Sequence, residues 1–348
     1  MDIDQVIISD ITDMILYPVN DNVFYGVLNA RDEQILKNGG MPENKVQVLS
    51  NPVVLDGNFN TEDSNLPDEI KNLFLYPIRA IPRKNIGELV LWSVLANEGD
   101  HFAITLAPKN PKYKDFYSKW VSFCENHQLP VTFEPGKKWN MTFPELLSSA
   151  KAIITTSIQE GFGLVYLESW LLQKPLFGRL ISDITKDFTE KGIEFPDLYT
   201  ELLIPVEWIG EDRLRKELEV EIESLLERYS IEEDGLIKDW IDVLIQEGKI
   251  DFGSLSSELQ RNVIEKIIEN PELKKEVPEF KSPDISPEIL QRNKVLVEKM
   301  YNLKNYGEKL YSIYQELIKS QKQDEYYLNS KKVLLEFLSP KQFSLLRA

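Results

Sequence analysis

The sequence predicts an α/β fold: a Rossmann-like parallel sheet followed by a mostly helical C-terminal region. Two observations lead there. From about Asn72 to Leu180, short apolar runs alternate with amphipathic segments, as βα units around a parallel sheet require. Beyond Ser182 the alternation stops and helical periodicity dominates. The chain of 348 residues is long enough for one to three domains, and 42% hydrophobic with 28% charged residues is ordinary globular composition.

In chain order, VFYGVLNARDEQILKNGG reads as a strand and a short helix that Gly39 and Gly40 end, and KVQVLSNPV as another strand. These first fifty residues hold too few elements for a domain and resemble the tail of something larger. The sheet strands are LFLYPI, HFAITLAP, LPVTFEP, AIITTS and KPLFGRL. Between them, RKNIGELVLWSVLAN, YKDFYSKWVSFCENH and FPELLSSA read as helices, with another after EGFG. ELLIPVEWI reads as one further strand. Helices are then expected over Glu211–Tyr229, Leu236–Gln246, Ser256–Ile268, Pro287–Leu303, Tyr306–Ser320 and Tyr326–Phe337. The four prolines and many charges between Pro271 and Glu288 mark a linker.

Composition narrows function. With 40 basic against 57 acidic side chains the net charge is -17, which opposes broad contact with nucleic acid or anionic lipid. A single cysteine, Cys124, rules out an internal disulfide framework and suits a reducing compartment. No apolar run approaches a transmembrane length, and MDIDQVIISDITDM is acidic where a signal peptide is basic, so a cytoplasmic protein is expected. His101 and His127 read as structural or exposed, Trp92, Trp120 and Trp170 as core rather than a sugar-stacking platform, and the block from Gly235 to Asn270 carries no motif.

Chemistry concentrates in EGFGLVYLE, residues Glu160 to Glu168. Gly161 and Gly163 let the backbone turn sharply after a strand and let a ligand approach the main chain, while the free N–H groups of the following helix favour an anion. A helix starting near Gly163 places Leu164, Leu167 and Leu171 in one stripe with Glu168 inside it. A carboxylate there needs a cation or a vicinal diol, whose two hydroxyls it can accept from. Glu160 alone could equally cap the turn. The loop after LFLYPI reads RAIPRKN and places Arg79, Arg83 and Lys84 at the same sheet edge, which suggests a diphosphate site. Arg179 is left between two roles, reaching the phosphates or pairing with Asp183 or Asp187.

The succession NARDEQILKNGGMPENKVQVLSNPV, YPIRAIPRKNIGE and TTSIQEGFGLVYLESWLLQKP resembles the second half of a GT-B glycosyltransferase of the retaining, GT4-like group (glycosyl transferases group 1). YNLKNYGEKLYSIYQEL resembles that group's closing helices. The resemblance implies a donor site in which Arg79 and Lys84 bind the diphosphate and Glu160 contacts the transferred sugar. Gly161, Phe162, Gly163 and Leu164 lie against sugar and phosphate, and Glu168 holds the ribose. It implies Glu160, Arg79 and Lys84 as the catalytic set, a nucleotide sugar as donor, and no other cofactor or metal. The FEPG loop, Phe133 to Gly136, falls by fold analogy near the nucleobase. Ile78 stands where the group usually has glycine. The implied organisation is a first-domain remnant over 1–55, a Rossmann-like nucleotide-sugar domain over 66–210, a helical extension over 211–283 and closing helices over 284–348. A first domain supplied by a partner chain, a homo-oligomer, or a non-catalytic nucleotide-sugar-binding scaffold are the expectations for the rest, and a sugar phosphorylase lacks its lysine-bearing cofactor motif here.

Overall fold

A computed structural model describes residues 17–55, 66–229, 231, 235–319 and 326–339. The acidic opening stretch, the last residues of the closing segment and Ser320 lie outside the described residues.

Near the start, β1 (Pro18–Val19) and β2 (Tyr25–Val27) precede the Ala30–Asn38 helix, and β3 (Val46–Val48) pairs parallel with β2. Asn29 caps that helix, its side chain accepting from the Asp32 N–H at 2.8 Å. Then β4 (Asn72–Arg79), β5 (Asp100–Leu106), β6 (Val131–Phe133), β7 (Ala150–Thr155), β8 (Leu176–Arg179) and β9 (Leu198–Tyr199) form one parallel sheet in the order β6-β5-β4-β7-β8-β9. The chain runs outward through β4, β5 and β6, returns to the other side of β4 at β7, and runs outward again. Between β4 and β7 the direction reverses, and a doubly wound sheet opens a crevice at the carboxyl ends of such strands.

Alternation along the strands feeds two cores. Phe74, Tyr76, Phe102, Ile104, Ala152 and Ile154 face one side with the Ile86–Leu95 helix and Trp120, while Leu73, Leu75, Ala103 and Ile153 face the other with Tyr166, Leu167 and Trp170. Pro77 has no N–H to give the ladder, and the β4–β5 register shifts between Tyr76 and Arg79. The Ile86–Leu95 helix is buried along almost its whole length because the Ser257–Glu269 helix covers the side turned away from the sheet.

Several expectations change. The sixth strand is β9, only two residues long; ELLIPVEWI instead gives β10 (Leu203–Pro205), which joins β11 (Ile245–Gln246) and β12 (Lys249–Asp251) in a separate antiparallel sheet. The stretch from Pro271 to Glu288 is no free linker. Val277, Phe280 and Ile285 are buried in it, and the Phe280 ring lies 5.1 Å from Phe74, 5.2 Å from Phe177 and 5.4 Å from Phe102. Its prolines prevent regular structure without preventing burial of single anchors between them. The last expected helix begins later, after β13 (Tyr326–Tyr327), which pairs antiparallel with β1. The Ser330–Leu338 helix then packs on the Ala30–Asn38 helix, with Val333 and Leu328 closing a small core around Ile35, Leu36 and Val46. The Leu303–Lys319 helix leaves Leu303, Tyr311, Tyr314 and Ile318 exposed. Among the described residues no helix is long and apolar enough to cross a membrane.

Candidate active site at the β4–β7 crevice

After β4 the chain makes a short 3-10 turn over Pro82–Lys84, and Asn85 then adopts the left-handed conformation at φ 51° and ψ 53° to open the Ile86–Leu95 helix. Thr156, just past β7, fixes this corner through Oγ1, which lies 3.1 Å from the Lys84 carbonyl and 3.0 Å from that of Asn85. The Ile158 N–H donates to the Arg83 carbonyl at 3.1 Å. The two sequence motifs, 76 positions apart, therefore meet as one corner.

At that corner Lys84 donates to Glu160 in a close ion pair, and Arg83 donates to Glu160 Oε2 at 3.2 Å and to the Gln159 carbonyl at 3.0 Å. Lys84 is 13% exposed and Arg83 43%, so Arg83 is the solvent-facing partner. Burial holds the Lys84 ammonium below its ordinary value, with Glu160 pulling the other way. Arg79 is placed apart from this pair and donates to the Ala107 carbonyl at 3.3 Å, beyond the end of β5.

The glycine turn follows. The Gly161 carbonyl accepts from Asn29 Nδ2 at 2.6 Å, so the same side chain that caps the Ala30–Asn38 helix also holds the turn. Phe162 is buried against Phe188 and Tyr301, with ring centroids at 5.5 and 6.3 Å. Gly163 has φ +82°, and a Cβ there would come within 2.7 Å of the Tyr166 ring, so both conformation and space call for glycine.

The helix that follows is Val165–Leu171, only seven residues, and Tyr166, Leu167 and Trp170 form its buried face. The expected leucine stripe is corrected accordingly: Leu164 is 42% exposed, because the aromatic residues take the core. Glu168 shares the outer face with Leu164. It is partly buried, no side-chain partner for it occurs among the described residues, and burial raises its pKa above the ordinary carboxylate value.

Arg179 is a second correction. It reaches neither Asp183 nor Asp187, and at 5% exposure it is closed off from any phosphate in the crevice. Its Nε donates to Glu88 Oε1 at 3.0 Å and its Nη2 to both Glu88 and, at 2.9 Å, Asp251; Nη1 donates to Asp251 at 2.7 Å and to the Thr200 carbonyl at 3.1 Å. All five guanidinium donors are thereby used. Tyr199 donates to Glu88 at 2.6 Å and Trp92 donates to Tyr199 at 2.6 Å. Burial works against the Arg179 charge, but Asp251 and Glu88 overcome it and hold the guanidinium charged. A buried carboxylate within the apolar run IGELVLW was the signal that a cation had to meet it. Asp187 is engaged elsewhere, accepting from Lys191 at 2.7 Å, Tyr301 at 2.8 Å and Ser50 at 3.0 Å.

The remaining named residues have structural surroundings. Trp92, Trp120 and Trp170 are buried. His101 Nε2 lies 2.8 Å from Thr132 Oγ1, and burial pushes its pKa down to about 4 against the upward pull of Glu69. His127 lies 3.5 Å from Glu265 and against the Phe123 ring. In the FEPG loop after β6, Glu134 is taken up by Lys137 and, at 3.4 Å, by Tyr117. Among the described residues no group of three or more His, Cys, Asp or Glu gathers as a metal-ligand set.

The fold and the corner together define an α/β protein of Rossmann-like topology with a charged corner at the strand-order reversal. No family model matches the chain. Among curated proteins it is similar to mannosylglucosyl-3-phosphoglycerate synthase of Petrotoga mobilis, 27% identical over 261 residues, which is 71% of this chain and 50% of the relative. The chain thus spans about half the length of that relative. Solved structures with a similar course include sucrose-phosphate synthase of Thermosynechococcus elongatus, at 14% identity, TM-score 0.46 and coverage of 85% of this chain and 58% of that one. A glycosyltransferase of Rickettsia africae has 12% identity and TM-score 0.48, over 86% of this chain and 65% of that one.

Proposed function

We propose that the chain carries the donor half of a retaining glycosyltransferase, which passes a sugar from a nucleotide-diphosphate sugar to an acceptor hydroxyl. The observation that carries this reading is the corner itself: Lys84 and Glu160 meet at the strand-order reversal, and Glu168, on the helix after the glycine turn, has a partly buried carboxylate without a partner among the described residues. A carboxylate desolvated but unmatched is a cost to the fold unless a ligand supplies the donors, and the ribose diol of a nucleotide does so. The sequence similarity supports the same class, since the relative is named as the synthase of a glycosylated phosphoglycerate.

In this reading the diphosphate enters between Arg79 and Lys84. Its charge displaces Glu160 from Lys84 and Arg83, and the freed carboxylate accepts from hydroxyls of the transferred sugar. As the bond to the anomeric carbon breaks, negative charge grows on the leaving diphosphate, where Lys84 and Arg79 stabilise it. The reading assigns this stabilisation to side chains rather than to a metal. In this reading the acceptor is held by a further Rossmann-like domain facing the donor half, and the reaction takes place in the cytoplasm.

Calorimetric titration with UDP, GDP and ADP tests the reading. One nucleotide should bind, and Lys84→Ala and Glu168→Ala should each weaken it while the chain stays folded. Binding without any transfer once an acceptor domain is supplied would favour a non-catalytic nucleotide-sugar module; no binding by the folded chain contradicts both.

A further inference from the structure

We propose that Gln260, on a helix of the block that carries no motif of its own, is a positioning residue for Lys84; the inference rests on the donor-site reading only for its consequence in binding. Lys84 precedes Asn85, and the direction in which the lysine leaves the backbone depends on Asn85 keeping its left-handed conformation. Asparagine tolerates that conformation only modestly well by itself. Here it is fully buried and held from two sides: Asn85 Nδ2 donates to Glu88 Oε2 at 2.7 Å, and Asn85 Oδ1 accepts from Gln260 Nε2 at 2.9 Å.

The directions of these bonds leave no alternative arrangement. Gln260 Nε2 also donates to the Phe252 carbonyl at 2.8 Å, so its amide nitrogen faces two acceptors, and Asn85 must turn its own nitrogen to the Glu88 carboxylate. Glu88 in turn is fixed by Arg179 and Tyr199. Gly87 makes the approach possible, because a Cβ there would collide with the Gln260 amide and come within 2.8 Å of the Trp120 ring. The helical block therefore does more than cover the Ile86–Leu95 helix. Through one amide it sets the corner on which the phosphate-binding lysine stands.

The test reads Lys84 directly. With lysine side chains labelled by nitrogen-15, the Lys84 ammonium resonance is assigned by its loss in Lys84→Arg. Gln260→Met keeps the length and removes the donor; Asn85→Gly keeps the left-handed turn and removes the acceptor. Both should shift the Lys84 resonance, whereas Val263→Ala, a cavity in the same helix away from Asn85, should lower thermal stability and leave the resonance in place. With whichever of UDP, GDP or ADP binds, Gln260→Met should raise Kd roughly tenfold, and less than about twofold in a Lys84→Ala background, because the two residues act in series. An unmoved Lys84 resonance in both variants, or an equal shift in Val263→Ala, overturns the inference. Should wild-type chain bind no nucleotide, the donor-site reading falls, and the resonance still decides whether Gln260 positions Lys84.

Discussion

Two charged clusters lie near the carboxyl ends of the same sheet and are built in opposite ways. Around Arg179 every donor is matched: Glu88, Asp251, Tyr199 and Trp92 form a closed set within the core. Around Lys84 the matching is partial. Arg83 is 43% exposed and, among the described residues, Arg79 holds one carbonyl and Glu168 has no partner. A buried ionic set is tolerable only when fully satisfied, because any unmatched charge carries its whole desolvation cost. On the donor-site reading, satisfaction therefore separates a cluster that fixes the fold from one that takes a ligand.

The largest expected effect comes from opening the closed cluster. Arg179→Met leaves the buried Glu88 and the partly buried Asp251 without their cation, and should cost about 3–5 kcal/mol in urea unfolding. A loss below about 1 kcal/mol would mean that the cluster is wetter and looser than its geometry states. In the open cluster the expectation reverses. Lys84→Ala should change stability by less than about 1 kcal/mol, since its partner Glu160 can turn toward Arg83, but should weaken nucleotide binding by about 1.5–3 kcal/mol, the worth of a charge-assisted hydrogen bond.

Smaller effects follow from titration. His101 is of the closed kind, bonded to Thr132 and held neutral, with a folded pKa of about 4 against an ordinary 6.5. Its contribution is complete above pH 6.5 and is lost as pH falls toward 4, because the unfolded chain takes up the proton first. His101→Phe should flatten that part of the stability profile, by about 1–2 kcal/mol after allowance for partial exposure. Glu168 is of the open kind and has the opposite sign. Its raised pKa means that ionisation disfavours the fold, so Glu168→Gln should stabilise the ligand-free chain slightly at pH 7, by under about 1 kcal/mol, and not at all below the ordinary carboxylate range. A destabilised Glu168→Gln would show that the carboxylate has a structural partner after all.

The sheet was legible in the sequence because each main strand is an apolar run closed by turn residues. Leu198–Tyr199 is not legible there, because two residues carry no period. Phe280 was hidden among prolines and charges, where composition argued for a linker and only the three-dimensional neighbours reveal an anchor. The corner was legible as two motifs, since glycines and cations declare their chemistry locally. What periodicity could not supply was direction. Leu164 faces outward because Tyr166 and Trp170 outcompete it for the core. Arg83, on the same loop as Arg79 and Lys84, turns toward Glu160. Arg179 finds its carboxylate 91 positions away, on a helix whose hydrophobicity concealed it.

A crystal structure grown with a nucleoside diphosphate tests most directly whether the open cluster is the ligand site. The account predicts the diphosphate at the carboxyl ends of β4 and β7, with Lys84 turned from Glu160 to a phosphate oxygen and Glu168 accepting from the ribose hydroxyls. A nucleotide bound elsewhere, with the Lys84–Glu160 pair intact and Glu168 still unmatched, would contradict it.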